Sequence, residues 1–91
     1  MSEEQGIDLT QLEVEDLIGV FIGLLSGKAL NYMGIPLKEG DTPEKDLTKA
    51  SVAINSITCL IDQAEPIAPE GTIKQYRALL GDLQLNYVRA S

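Results

Sequence analysis

The chain has 91 residues, 44% of them hydrophobic and 23% charged, enough apolar material for one packed domain and too little length for two. Fourteen acidic residues stand against seven basic ones with no histidine, a net charge of -7. That balance offers no basic patch of the kind nucleic acid requires, which argues against DNA or RNA as a direct ligand.

The acidity is unevenly placed. Glu3, Glu4, Asp8, Glu13, Glu15 and Asp16 all precede residue 17, with no Lys or Arg among them, whereas the remainder is close to neutral. Residues 1–12 are polar and acidic, interrupted by Gly6 and Thr10, and read as a flexible tail. Residues 13–91 read as a single helical domain. Cys59 is the only cysteine, so no intramolecular disulfide forms. The acidic N-terminus lacks the basic and then apolar pattern of a secretory leader, and the expected compartment is the cytoplasm.

The first helix is expected over about 13–33. Its acids suit the positive end of a helix dipole, and Gly34 followed by Ile35-Pro36 is a stop signal. The second is expected over about 43–64, with Thr42 as cap, Pro43 in the first turn and an apolar face of Leu47, Ala50, Ile54, Ile57 and Ile61. The third is expected over about 69–89, opened by Pro69-Glu70 and carrying Ile73, Tyr76, Leu80, Leu83 and Tyr87 at the same spacing. The short connection between the last two makes them an antiparallel hairpin. The fold class is therefore all-α: three helices, with a long apolar first helix beside a helical hairpin, completed by oligomerisation.

Two features of the first helix point to contact with another chain. Gly19, Gly23 and Gly27 recur every four residues, each costing about 1 kcal/mol against alanine in a helix interior, a penalty that close approach of a neighbouring helix offsets. Such a neighbour can equally be the second or third helix of the same chain. The second feature is the unbroken apolar run from Leu17 to Leu25, which covers the whole helix circumference and exceeds what a hairpin can shield. The candidate interface is Leu17, Ile18, Gly19, Val20, Phe21, Ile22, Gly23, Leu24 and Gly27. The expected partner is the chain itself, as a homodimer, or a larger protein complex in which it is an accessory subunit. Lys28 and Asn31 cut the apolar run short of the roughly 20 residues of a membrane span, and Lys28 reads as a snorkelling side chain at its edge.

Little in the chain suggests chemistry. Without histidine there is no ordinary general base and no Ser-His or Cys-His pairing, so no catalytic residue is assigned. Cys59, between Ile57 and Leu60, reads as a buried structural thiol. Glu39, Asp41, Glu44 and Asp46 lack calcium-loop spacing, and no metal or cofactor is expected. The alternative to an interaction module is a small-ligand-binding protein or minor subunit of an enzyme complex, with a pocket between helices that uses Tyr32, Tyr76 or Cys59.

From Leu17 to Val88 the chain resembles a family of small bacterial proteins known as domain of unknown function 1844. Ala29-Leu30 with Gly34-Ile35-Pro36 resembles that family's turn after its first helix, and Asp46-Leu47 with Ala50 resembles the start of its second. Pro69-Glu70 resembles the start of its third helix, and Leu79-Leu80, Leu83 and Tyr87-Val88 its C-terminal end. The resemblance implies three helices in a bacterial cytosolic protein and supplies no catalytic residues. Gly71 and Gly81 depart from it, standing where acids are typical.

Overall fold

Three helices, α1 (Val14–Tyr32), α2 (Leu47–Ala64) and α3 (Glu70–Ala90), follow a short 3-10 turn at Leu9–Gln11 in the computed structural model, which describes residues 8–91. The all-α class expected from the periodicity is the one observed. Residues 1–7 of the acidic segment lie outside the described residues. In the rest of that segment the Asp8 carboxylate accepts hydrogen bonds from the Thr10 hydroxyl (2.6 Å) and backbone N–H (3.1 Å). These bonds, the hydroxyl's first, hold the Asp8 carboxyl below its ordinary range.

Each helix has an identifiable beginning or end. Glu15 and Asp16 occupy the first turn of α1, where the helix dipole favours negative charge. Its C-terminus is closed by a Schellman pair: the Ile35 N–H donates to the Leu30 carbonyl (3.0 Å) and the Gly34 N–H to that of Asn31 (2.9 Å). Closing this way requires a left-handed residue, and Gly34 supplies it at φ 89°.

The helix α2 begins at Leu47, four residues later than the Thr42-Pro43 signal predicts. Asp46 is the reason. Its carboxylate accepts from the Lys49 N–H (3.1 Å), and its own N–H donates to the Tyr32 carbonyl at the end of α1 (2.7 Å), so cap and anchor coincide at one residue. Residues 43–45 remain in the connection. Pro69 stands at the N-cap position of α3, with no side-chain capping bond, and Glu70 opens the helix, in line with the Pro69-Glu70 start that the sequence predicts.

The core is one cluster to which all three helices contribute. Ile18, Ile22, Ala29 and Met33 come from α1 and its cap, Ala50, Ala53, Ile54, Ile57, Ile61 and Ala64 from α2, and Ile73, Leu80 and Leu83 from α3. The most intimate packing joins α1 to α2. Small side chains explain it: Ser26 and Ala29 on one helix and Ala50, Ala53 and Ala64 on the other are all buried, which lets the isoleucines interdigitate. Ser26 satisfies its buried hydroxyl by donating to the Ile22 carbonyl (2.7 Å). The expected α2–α3 hairpin is present and antiparallel. Lys45 Nζ donates to the Ala90 carbonyl (2.9 Å) at one end, and Arg77 pairs with Asp62 (3.4 Å) and Glu65 (3.6 Å) at the other.

The assembly is flat, 38 × 37 × 19 Å, with a radius of gyration of 14.5 Å against about 12 Å for a compact chain of this length. A slab this thin leaves helix faces without cover.

Ile57 is fully buried at the centre of the cluster. Ile57→Ala is expected to lower unfolding free energy by about 2–5 kcal/mol in urea titrations, the usual cost of a core cavity.

Candidate interaction surface on the first helix

Successive α-helical residues turn by about 100°, so the burial pattern along α1 resolves into faces. Ile18, Ile22, Ser26, Ala29 and Met33 fall within an arc of about 80° and make the inner face against α2. Leu17, Val20, Phe21, Leu24 and Lys28 fall within an arc of about 100° on nearly the opposite side. Leu24 is 60% exposed and Phe21 41% exposed, while Leu17 and Val20 are half-buried. A helix apolar on both sides normally lies inside a larger structure, and here one side faces water. Val14, 56% exposed, extends the outer row towards the N-terminus.

The nine residues singled out from the sequence therefore separate. Ile18 and Ile22 are spent on the chain's own core. Leu17, Val20, Phe21 and Leu24 form the outer row. The glycines take three different environments. At Gly19 an added Cβ would lie 2.5 Å from Tyr76 Oη of α3, so a close approach exists there, made by a tyrosine side chain. At Gly27 the same atom would touch Leu37 at 3.6 Å, because the connecting loop folds back over the end of α1. Asp41 holds that loop by accepting from Asn31 Nδ2 (3.1 Å) and the Leu37 N–H (3.2 Å). Gly23 has nothing within 4 Å.

Beside the outer row, an open groove of about 350 Å³ runs between α1 and α2, with Leu25, Val52 and Ala53 on its apolar walls. Lys28 Nζ lies 4.9 Å and Lys49 Nζ 5.8 Å from the centre of the Tyr32 ring, so two ammonium groups lie close to one aromatic ring. Periodicity alone did not single out Lys49, because its partner ring is on another helix. A second groove, of about 310 Å³ between α2 and α3, is lined by Ser51, Asn55, Gln84 and Tyr87 among others.

The remaining candidates for chemistry are dispersed. Cys59 is exposed, contrary to the buried thiol that its neighbours suggest. The inner face of α2 is set by Ile57 and Ile61, and a position two residues after Ile57 turns about 200° away from it. Tyr76 is committed to Gly19. Asp41 and Asp46 serve the loop and the α2 cap, and among the described residues no three His, Cys, Asp or Glu side chains gather as a metal site. Among the same residues no helix is long and apolar enough to cross a membrane.

The contrast between glycines is measurable by thermal or urea unfolding. Gly23→Ala, with open space for its methyl, is expected to stabilise the chain by about 0.5–1 kcal/mol. Gly19→Ala must displace Tyr76 and is expected to fall about 1 kcal/mol or more below it.

The chain matches no protein-family model, no curated protein and no solved structure.

Proposed function

We propose that the protein is a non-enzymatic helical interaction module. It works by seating the outer row of α1 against another protein chain, as a homodimer or as a small accessory subunit of a larger bacterial assembly. The observation that carries this reading is the exposure of Phe21 and Leu24, flanked by Leu17 and Val20, on a helix whose opposite side is already packed. Contiguous apolar surface of this kind marks interaction sites on small domains. The flatness of the molecule supports it as well, since a partner on this face supplies the layer that the three helices lack.

A second reading has its own observation. The α1–α2 groove combines apolar walls with the Lys28 and Lys49 ammonium groups, a pairing suited to a small anion with an apolar body. A thermal-shift series with aliphatic carboxylates and common metabolites decides it, and no stabilisation at millimolar concentration removes it.

The interaction reading is tested by light scattering coupled to gel filtration at tens of micromolar, together with affinity capture from the native cell. The expected result is an assembly larger than 9.8 kDa. Leu24→Glu places a charge in the middle of the outer row and is expected to weaken the assembly by about 2 kcal/mol or more while leaving the helical content of the isolated chain intact. A monomer that captures no partner overturns the reading.

A further inference from the structure

We infer that the occupant of the outer row is a second copy of this chain, with the two α1 helices antiparallel about a twofold axis located between Val20 and Phe21. The inference rests on the interaction reading above and specifies its partner and register.

The register follows from what the outer face of α1 carries. Glu13, Leu17, Val20, Phe21, Leu24 and Lys28 all lie within the same arc of about 100°. They are disposed symmetrically about the midpoint between Val20 and Phe21. Turning a second helix end for end about that midpoint sets Leu17 against Leu24, Val20 against Phe21, and Glu13 against Lys28, each pair occurring twice. Leu17, Val20, Phe21 and Leu24 then each meet an apolar side chain, Glu13 and Lys28 each meet the opposite charge, and Val14 at the edge of the row comes against Gly27. A parallel pair in register would instead set Glu13 against Glu13 and Lys28 against Lys28. Twofold symmetry with a self-complementary patch is the commonest form of homo-oligomer.

The two charged residues are available for this contact. Glu13 is the N-cap of α1, is exposed, and makes no side-chain capping hydrogen bond, although that position ordinarily goes to a residue that caps. Lys28 is exposed, and its ammonium group rests over Tyr32 with no carboxylate partner among the described residues. The first turn of α1 also carries Glu15 and Asp16, so its N-terminal end is negative. Towards the other end of the row stand Lys28 and, beside the same Tyr32 ring, Lys49 from α2, with Asp41 and Asp46 beyond them at the close of the helix. An antiparallel pair brings Glu13 to Lys28, and a parallel pair opposes like charges at both positions. The charges set orientation and register, and the apolar row between them supplies the burial.

The test is a charge-reversal set followed by sedimentation equilibrium at low salt, with circular dichroism as a check on folding. Glu13→Lys and Lys28→Glu are each expected to weaken dimerisation about tenfold, since each converts two symmetry-related attractions into repulsions. The double variant Glu13→Lys/Lys28→Glu restores both pairs and is expected to return to within about threefold of the unaltered chain. An equimolar mixture of the two single variants is expected to form heterodimers. The milder Glu13→Gln and Lys28→Gln, which change no helix-dipole balance by more than one charge, are expected to weaken association about threefold. A dimeric unaltered chain whose affinity none of these changes alters overturns the inference and leaves the interaction reading standing. Neutral variants Glu13→Gln or Lys28→Gln that tighten the dimer, by relieving a like-charge contact, indicate parallel helices and overturn it too. An unaltered chain that stays monomeric at tens of micromolar overturns the inference, and capture of a foreign partner then decides whether the interaction reading survives.

Discussion

The seam between α1 and α2 is the contact on which the rest of the structure depends. It is built from alternation of size: Ser26 and Ala29 on one side, Ala50, Ala53 and Ala64 on the other, and Ile18, Ile22, Ile57 and Ile61 filling the space that the small residues open. Close packing of this kind fixes the rotation of α1 about its own axis. Once that rotation is set, the fate of every other residue on α1 follows. Gly19 turns to Tyr76, Gly27 sits under Leu37, and Leu17, Val20, Phe21 and Leu24 turn outward. The polar anchors at the ends of the seam, the Schellman closure at Gly34 and the Asp46 N–H on the Tyr32 carbonyl, hold α2 close to the end of α1.

That arrangement has a cost that bears on function. Three helices in a slab 19 Å thick bury one face of α1 and leave a second apolar face in water. Uncovered apolar area forgoes about 25 cal/mol for each Å² that a partner would remove from solvent, so the free chain carries its own driving force for association. The acidic first turn of α1 and the lysines towards its other end give that force a direction. Burial is non-directional, whereas charge at the two ends of a row distinguishes one orientation from the other.

The number and type of elements were legible in the sequence because the buried positions of α2 and α3 recur at helical spacing. Ala50, Ile54, Ile57 and Ile61, and likewise Ile73, Leu80 and Leu83, are buried where their spacing puts them. The start of α2 was not legible, since Thr42-Pro43-Glu44 carries the usual signals of a helix beginning. What favours Asp46 is a tertiary bond to Tyr32, which local patterns do not contain. Cys59 was misread for a related reason: apolar neighbours in sequence are not neighbours in space when each residue turns the helix by about 100°. The orientation of α1 was illegible in principle. Nine consecutive residues without a polar side chain leave no periodic signal, and only the small residues across the seam on α2 decide which side is inner. The glycine row therefore promised one continuous groove, and the structure divides it among a tyrosine, a loop leucine and open space.

The central claim is that α1 has two working faces, one for its own chain and one for a second copy. Isotope-filtered NOE spectroscopy on an equimolar mixture of labelled and unlabelled protein tests it directly, because only contacts between chains give signals. The account predicts intermolecular signals linking Leu17 to Leu24 and Val20 to Phe21, with none at Ile22 or Ile57. Intermolecular signals at the inner isoleucines, or their absence from the outer row in a sample that is dimeric, would contradict it.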